Sequence, residues 1–140
     1  MKRAQKSLQF RHLDGGSCNG CEQELNALTS RFYDIQQQGL DIVASPRHAD
    51  ALVVTGPVTD TMSRPLSKVW EAVPGPKLLI ALGDCAAGCG VFQAAYASHG
   101  GVAGALQEPD VVIRGCPPTP QDILDQLLRI TAAKDPKPKV

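Results

Sequence analysis

The segment Lys77–Cys85, KLLIALGDC, decides the class of fold. Its apolar run Leu78–Leu82 has no polar alternation, which is typical of a β-strand covered on both faces, and Gly83-Asp84 is a turn sequence. Strands of this kind belong to parallel sheets that have helices on both sides. The segment therefore predicts a continuous apolar strand over Lys77–Leu82, with Cys85 at the end of the turn that follows it.

Four further segments are typical of strands. They are short apolar or β-branched runs bounded by glycine, proline or polar turn residues: Leu8–Leu13, Asp41–Ser45, Ala51–Thr55 and Val111–Arg114. Each is separated from the next by a turn sequence or a helical pattern. This order of strands and helices predicts a parallel sheet rather than a series of hairpins.

Helical periodicity occupies the gaps between these strands. We predict a first helix over about Cys21–Gln36 because apolar residues recur there at steps of three and four. Those residues are Leu25, Leu28, Phe32 and Ile35. A second helix begins at Thr59 or Asp60 and stops at Pro74-Gly75-Pro76. Its predicted buried face consists of Met62, Leu66, Val69, Trp70 and Val73.

The last helix has a well-defined start. Thr119-Pro120-Gln121-Asp122 combines an N-cap Thr, a Pro at the first helical position and an acid at the capping-box place. Its predicted inner face consists of Ile123, Leu124, Leu127, Leu128 and Thr131. We predict that Ala86–His99 is partly helical, and we assign no element to Gly100–Pro109.

These elements predict one α/β domain over residues 1–133, with helices on both faces of the sheet and a disordered basic tail over residues 134–140. The formal net charge is zero, yet the first thirteen residues carry +4, residues 134–140 carry +2, and the remainder carries −6. The chain has neither the basic and aromatic surface of a nucleic-acid binder nor an apolar run of the roughly 18–20 residues that a membrane span requires. We therefore expect a soluble chain that binds no nucleic acid.

The cysteines indicate the kind of site. The chain has five, an odd number without a secretory signal, which argues against a disulfide framework and favours metal binding or redox chemistry. They are Cys18, Cys21, Cys85, Cys89 and Cys116. Cysteines follow the first, the central and the last predicted strand, and the carboxyl ends of parallel strands meet at one edge of the sheet. We therefore expect the loops that carry these thiols to converge.

Four converging thiolates could bind zinc or an iron–sulfur cluster. The cluster is favoured because only Cys18-Asn19-Gly20-Cys21 is a compact knuckle, whereas a structural zinc site usually has two. A thioredoxin-like dithiol at Cys18 and Cys21 is a further alternative, although it leaves Cys85 and Cys116 unexplained. Of Cys85 and Cys89, we favour Cys85 as the ligand because it immediately follows the turn after the strand, whereas Cys89 lies one helical turn further on; Cys89 remains the alternative.

Four motifs, taken together, resemble a known family. They are Ser17-Cys18-Asn19-Gly20-Cys21, Thr55-Gly56-Pro57-Val58-Thr59, Ala81-Leu82-Gly83-Asp84-Cys85-Ala86 and Gly115-Cys116-Pro117-Pro118. The family unites small subunits of nickel-iron hydrogenases with the cluster-bearing 20 kDa subunit of respiratory complex I. The resemblance spans about residues 8–130 and implies a flavodoxin-like domain. It also implies one 4Fe-4S cluster, proximal to a partner's active site, with Cys18, Cys21, Cys85 and Cys116 as its ligands.

The first motif separates two branches of this family. Complex I subunits have two adjacent cysteines there, whereas Asn19-Gly20 separates them here, as in hydrogenases. With its short length and no twin-arginine signal, the chain looks most like the compact small subunit of a membrane-bound, energy-converting hydrogenase of the formate hydrogenlyase type. An equivalent subunit of a complex I-like, quinone-linked or hydrogenase-related oxidoreductase without a nickel-iron site is the alternative.

The resemblance also implies partners and a location. The expected partners are a hydrogenase-like large subunit, a ferredoxin-like polycluster subunit and membrane subunits of the complex. The chain would be a non-catalytic electron-transfer subunit of an oxidoreductase, peripheral on the cytoplasmic face of the membrane. Glu22 and Glu24 could face the large subunit and assist proton movement, or compensate the helix dipole. We assign no role to His12, His48 or His99.

Overall fold

A five-stranded parallel sheet forms the centre of the computed structural model, which describes residues 7–90 and 95–132. The strands are β1 (Leu8–Asp14), β2 (Leu40–Ile42), β3 (Ala51–Thr55), β4 (Leu78–Leu82) and β5 (Val111–Ile113). They lie in the order β2-β1-β3-β4-β5, and every pair is parallel. This is the flavodoxin-like strand order, so the predicted fold class is confirmed.

Five helices connect and cover these strands in the described part of the chain. They are α1 (Gly20–Ala27), α2 (Asp60–Ala72), α3 (Asp84–Ala87), α4 (Val102–Ala105) and α5 (Pro120–Ala132). Two short 3₁₀ turns, Ile35–Gln38 and Pro46–His48, flank β2. None of the helices in residues 7–90 and 95–132 combines the length and the apolar character needed to cross a membrane.

The central strands β3 and β4 are buried on both faces, as the KLLIALGDC segment predicts. Side chains alternate along β4, so Leu78, Ile80 and Leu82 pack on the side of α1 and α5. Leu79 and Ala81 face the opposite way, toward α2 and the short helices. The sheet thus divides two apolar layers, and burying both is the main favourable contribution to folding.

The second and last helices follow their predicted patterns. On α2, Leu66 is fully buried and Met62, Val69 and Trp70 pack partly buried against the same layer, with Val73 buried beyond the helix end. At the start of α5, Thr119 Oγ1 accepts a hydrogen bond from the Asp122 N–H at 3.2 Å, which is the predicted N-cap contact.

The predicted helix over Cys21–Gln36 is wrong in length, because α1 ends at Ala27. Thr29 Oγ1 donates to the Asn26 carbonyl at 2.7 Å, and the Ile35 N–H donates to the Leu28 carbonyl at 3.3 Å, so the chain folds back on itself. Leu28 and Ile35 are buried as expected, whereas Phe32 lies on the outside of this turn with 85% of its surface exposed.

Other boundaries also differ from prediction, by one residue at the end of β1, the start of β4 and the end of β5, and by more elsewhere. The second strand is Leu40–Ile42 instead of Asp41–Ser45, and the last strand stops at Ile113 instead of Arg114. Within Ala86–His99, the helix ends at Ala87 because Gly88 adopts a left-handed conformation, while residues 91–94 lie outside the described residues. The unassigned Gly100–Pro109 contains α4. Residues 1–6 and the predicted tail over 134–140 also lie outside the described residues.

Substitutions at Leu28 and Phe32 test whether α1 ends at Ala27. Leu28→Ala should lower the free energy of unfolding by about 2–5 kcal/mol, because Leu28 is fully buried in the layer beneath α1 and α5. Phe32→Ala should lower it by less than about 1 kcal/mol, because the Phe32 ring is largely exposed and packs edge-on against the neighbouring Tyr33 ring. Urea unfolding of both variants measures this difference. Equal losses of unfolding free energy in the two variants would indicate that Phe32 is buried as Leu28 is.

Candidate functional site

The loops that follow β1, β3, β4 and β5 meet at one edge of the sheet, as parallel strands require. Cys18 lies in the loop after β1, and Cys21 is the second residue of α1. Cys85 is the second residue of α3, directly beyond β4, and Cys116 lies beyond β5. The structure therefore brings the thiol-bearing loops together where the sequence predicts.

These four cysteines line one cleft, whose empty space, open solvent included, is about 380 Å³. The lining residues are Ser17, Cys18, Gly20, Cys21, Gly56, Asp84, Cys85, Gly115, Cys116 and Pro117. Cys18 and Cys116 are exposed, whereas Cys21 and Cys85 are half-buried. The cleft thus has a sheltered inner side and an open outer side.

The fifth cysteine occupies a different position. Cys89 is exposed and is not one of the residues that line the cleft. Its backbone N–H donates to the Asp84 carbonyl at 3.0 Å, which fixes it one turn beyond Cys85. This placement favours Cys85 over Cys89 as a member of the site, while the assignment of ligands itself stays a prediction.

Two glycines lie against the sulfurs of the cleft. A Cβ on Gly83 would stand 2.5 Å from Cys21 Sγ, and a Cβ on Gly90 would stand 2.7 Å from Cys85 Sγ. Real contacts of that kind are not found, so any larger residue at these positions would displace a thiol. Gly83 also has a φ of +90°, a conformation that side chains disfavour. Both glycines therefore leave room for a sulfur atom.

The surroundings of Cys21 disfavour its negatively charged thiolate form when no cation is bound. Burial raises the pKa of Cys21 to about 11, and the neighbouring Cys85, Cys116 and Cys18 and the Asp84 carboxylate act in the same direction. A group that binds these sulfurs as thiolates must supply positive charge. Among the described residues, no three His, Cys, Asp or Glu side chains are grouped closely enough to hold a single metal ion.

The loop before Cys18 is shaped by Asp14. Its Oδ1 accepts hydrogen bonds from the N–H groups of Gly16 at 2.8 Å and Ser17 at 2.7 Å, an Asx turn at the end of β1. Although burial works to raise it, the pKa of Asp14 lies below its usual range because Ser17 and Gly16 donate to it. A charged carboxylate thus orients the chain that leads to Cys18.

A second set of hydrogen bonds ties this loop to the sheet. Glu22 Oε1 accepts from Ser17 Oγ at 2.5 Å and from Thr55 Oγ1 at 3.4 Å, and Thr55 Oγ1 pairs with His12 Nε2 at 3.0 Å. Partial burial raises the pKa of Glu22, and burial lowers the pKa of His12. Glu22 therefore anchors the Cys18 loop, a function that sequence reasoning did not give it.

On the other side of the cleft, Asp84 joins the Cys85 and Cys116 segments. Its Oδ1 accepts from the Gly115 N–H at 3.0 Å and from Arg114 Nε at 2.8 Å. Hydrogen bonds from Arg114 and Gly115 hold the pKa of Asp84 below its usual range. The sequence signals a turn at Gly83-Asp84 but gives no sign of this partner, because 31 positions separate Asp84 from Gly115.

Comparisons with known proteins find matches over most of the chain. A family model described as NADH ubiquinone oxidoreductase, 20 Kd subunit, matches residues 18–130. Formate hydrogenlyase subunit 7 of Escherichia coli is 41% identical over 120 residues, which cover 86% of this chain and 47% of that protein. A probable membrane-bound hydrogenase subunit of Pyrococcus furiosus is 42% identical over 113 residues, which cover 81% of this chain and 67% of that protein.

A solved structure agrees in fold. A chain of the membrane-bound sulfane sulfur reductase, an archaeal respiratory membrane complex, superposes with a TM-score of 0.74 at 26% identity, covering 96% of this chain and 75% of that one. This chain spans about half the length of the Escherichia coli relative. The likeness extends over nearly all of the described sheet and its helices.

The raised pKa predicts slow chemistry at Cys21 in the metal-free, reduced chain. Relative to the ordinary value of 9.0, a pKa of about 11 lowers the thiolate fraction about a hundredfold at neutral pH. Alkylation by iodoacetamide should therefore be slower than for an ordinary thiol, by less than about a hundredfold because a more basic thiolate is more nucleophilic, and should accelerate about tenfold per pH unit up to about pH 11. Peptide mass mapping measures it. The urea-unfolded chain is the control, and equal rates in both states would contradict the raised pKa.

Proposed function

The chain belongs to the NADH ubiquinone oxidoreductase, 20 Kd subunit, family, and on that premise we propose that it is an electron-transfer subunit that holds one 4Fe-4S cluster through Cys18, Cys21, Cys85 and Cys116. One observation carries this proposal: these four thiols, and not Cys89, line one cleft at the carboxyl edge of the sheet. Four cysteine thiolates are the usual ligand set of such a cluster.

The fit of the residues to this group rests on donor chemistry and space. Thiolates bind iron, and the positive charge of iron offsets the burial and mutual repulsion that raise the Cys21 pKa. Gly83 and Gly90 have no Cβ, and this absence leaves space for the Cys21 and Cys85 sulfurs. Backbone close to sulfur is the environment that tunes the potential of iron–sulfur groups.

A bound cluster supplies reversible one-electron transfer. The chain's own residues provide its position: Asp14 and Glu22 fix the loop of Cys18, and Asp84 fixes the segments of Cys85 and Cys116. The exposed sides of Cys18 and Cys116 face outward from the cleft, which suits exchange of electrons with a neighbouring subunit.

We assign the chain a place in a larger complex. Relatives named as hydrogenase subunits support a hydrogenase-like large subunit as the partner, with the electrons passing between ferredoxin-like clusters of another subunit and a nickel-iron site in that large subunit. In this assignment the chain is a non-catalytic subunit of an oxidoreductase. It sits peripherally on the cytoplasmic face of the membrane, next to membrane subunits of the complex.

A second candidate is the equivalent subunit of a complex without a nickel-iron site, either complex I-like and quinone-linked or otherwise related to hydrogenases. The family name and the likeness to a sulfane sulfur reductase chain favour it specifically. The sequence of the large subunit encoded beside this chain distinguishes the two. Two Cys-x-x-Cys pairs there support the hydrogenase assignment, and their absence supports the second candidate.

Serine substitutions test the ligand set. Cys18→Ser, Cys21→Ser, Cys85→Ser and Cys116→Ser should each abolish the wild-type content of about four iron atoms and four sulfides per anaerobically purified chain, together with the EPR signal after dithionite reduction. Cys89→Ser is the matched control and should keep both, since Cys89 lies outside the cleft lining.

Three results would contradict the proposal. If the wild-type protein contained zinc and gave no EPR signal after reduction, the site would be a structural zinc site instead of a cluster site. A reversible Cys18–Cys21 disulfide without iron would indicate a dithiol. Loss of the cluster in Cys89→Ser but not in Cys85→Ser would exchange those two ligands.

A glycine substitution tests the fit around the sulfurs. Gly83→Ala should lower iron content and accelerate cluster loss, because its Cβ would stand 2.5 Å from Cys21 Sγ and the backbone there has positive φ. Gly75→Ala is the control, since no atom lies within 4 Å of its added Cβ. Iron retention during incubation with a chelator measures the effect. Equal retention in both variants would show that Gly83 does not shape the site.

A further inference from the structure

Asp84 stands where two segments of the candidate site meet. It directly precedes Cys85, and its side chain reaches the residue that directly precedes Cys116. Asp84 is also one of the residues that line the cleft, and its side chain is only 24% exposed. The Asp84 side chain therefore connects the Cys85 segment, which follows β4, with the Cys116 segment, which follows β5.

The backbone already joins these segments. The Gly83 N–H donates to the Ile113 carbonyl at 2.7 Å, and the Asp84 N–H donates to the Gly115 carbonyl at 2.8 Å, which continues the pairing of β4 and β5 beyond the strands. The Gly115 N–H, however, would have no such partner without the Asp84 carboxylate, which accepts it at 3.0 Å. The side chain thus fixes the peptide that leads into Cys116.

Arg114 balances the charge of this contact. Its Nε donates to the same Asp84 oxygen at 2.8 Å, and its side chain is 62% exposed. A carboxylate beside four thiolates is unfavourable by itself, because like charges repel. The guanidinium offsets that repulsion and holds the carboxylate in the orientation that reaches Gly115.

We propose that Asp84 and Arg114 form a positioning pair: the Asp84 carboxylate fixes Cys116 relative to Cys85, and the Arg114 charge compensates it beside the site. This inference rests on the proposed cluster function for its electrochemical consequence, but its structural part concerns the chain alone. Neither residue is a ligand. Asp84 acts by positioning Cys116, and Arg114 acts by compensating the charge of Asp84.

Conservative and truncating substitutions separate positioning from a general loss of stability. Asp84→Asn keeps an oxygen that can accept from Gly115 and Arg114, whereas Asp84→Ala removes it. In the metal-free chain, exchange of the Gly115 amide hydrogen should accelerate about tenfold in Asp84→Ala and much less in Asp84→Asn. Asp125→Ala is the matched control, because Asp125 accepts a side-chain bond from Gln121 on α5, away from the cleft.

The reduction potential of the loaded protein supplies the electrostatic readout. Asp84→Asn removes a negative charge and should raise the midpoint potential, whereas Arg114→Gln removes a positive charge and should lower it. Both variants break the same ion pair, so a merely structural effect would move the two potentials in the same direction. Potentiometric titration followed by EPR measures both.

The outcomes are distinct. Faster Gly115 exchange in Asp84→Ala, rescue in Asp84→Asn and potential shifts of opposite sign support the pair. Unchanged Gly115 exchange in Asp84→Ala, or potential shifts of the same sign, overturn it. A wild-type protein that carries no cluster refutes the proposed function and the electrostatic part, while the Gly115 exchange still decides whether Asp84 fixes the loop.

Discussion

The parallel alignment of β1, β3, β4 and β5 is the constraint on which the site depends. Parallel strands place their carboxyl ends at the same edge, so the loops that follow them meet without any further folding event. Because β3 and β4 are buried on both faces, a one-residue slip would exchange the side chains that pack in the two apolar layers, so this packing fixes the register of the sheet. Apolar packing below the cleft thus places the strand ends from which the loops of Cys21, Cys85 and Cys116 begin.

Register brings the loops together, and carboxylates then define their shape. Asp14, Glu22 and Asp84 each accept hydrogen bonds from backbone N–H or side-chain donors in the segments next to the cysteines. Every buried side-chain nitrogen and oxygen among the described residues has a hydrogen-bond partner. Charged acceptors form the stronger kind of hydrogen bond, so these carboxylates hold the loops next to the cysteines.

Much of this arrangement follows from local sequence. The central strand was predictable because five consecutive apolar residues between turns have few alternative structures, and the cysteine positions followed from where strands end. The end of α1 was not predictable from periodicity, since Leu25, Leu28, Phe32 and Ile35 keep helical spacing although the chain turns at Thr29. The contacts of Thr55 with Glu22 and of Asp84 with Gly115 join residues 33 and 31 positions apart, so only the folded sheet creates them.

The Asp84 carboxylate at the cleft also contributes to the raised pKa of the Cys21 thiol when nothing is bound. Asp84 adds to the burial that raises the Cys21 pKa, so the same carboxylate that fixes the Cys116 segment makes deprotonation of Cys21 harder. The contact that holds the Cys116 segment therefore also disfavours ionisation of the Cys21 thiol. An ion pair with Arg114 reduces this second effect, because it leaves the carboxylate as a hydrogen-bond acceptor while offsetting its charge. In the proposed function, the cysteines of this site are already held in place when iron binds, and they release their protons as it binds.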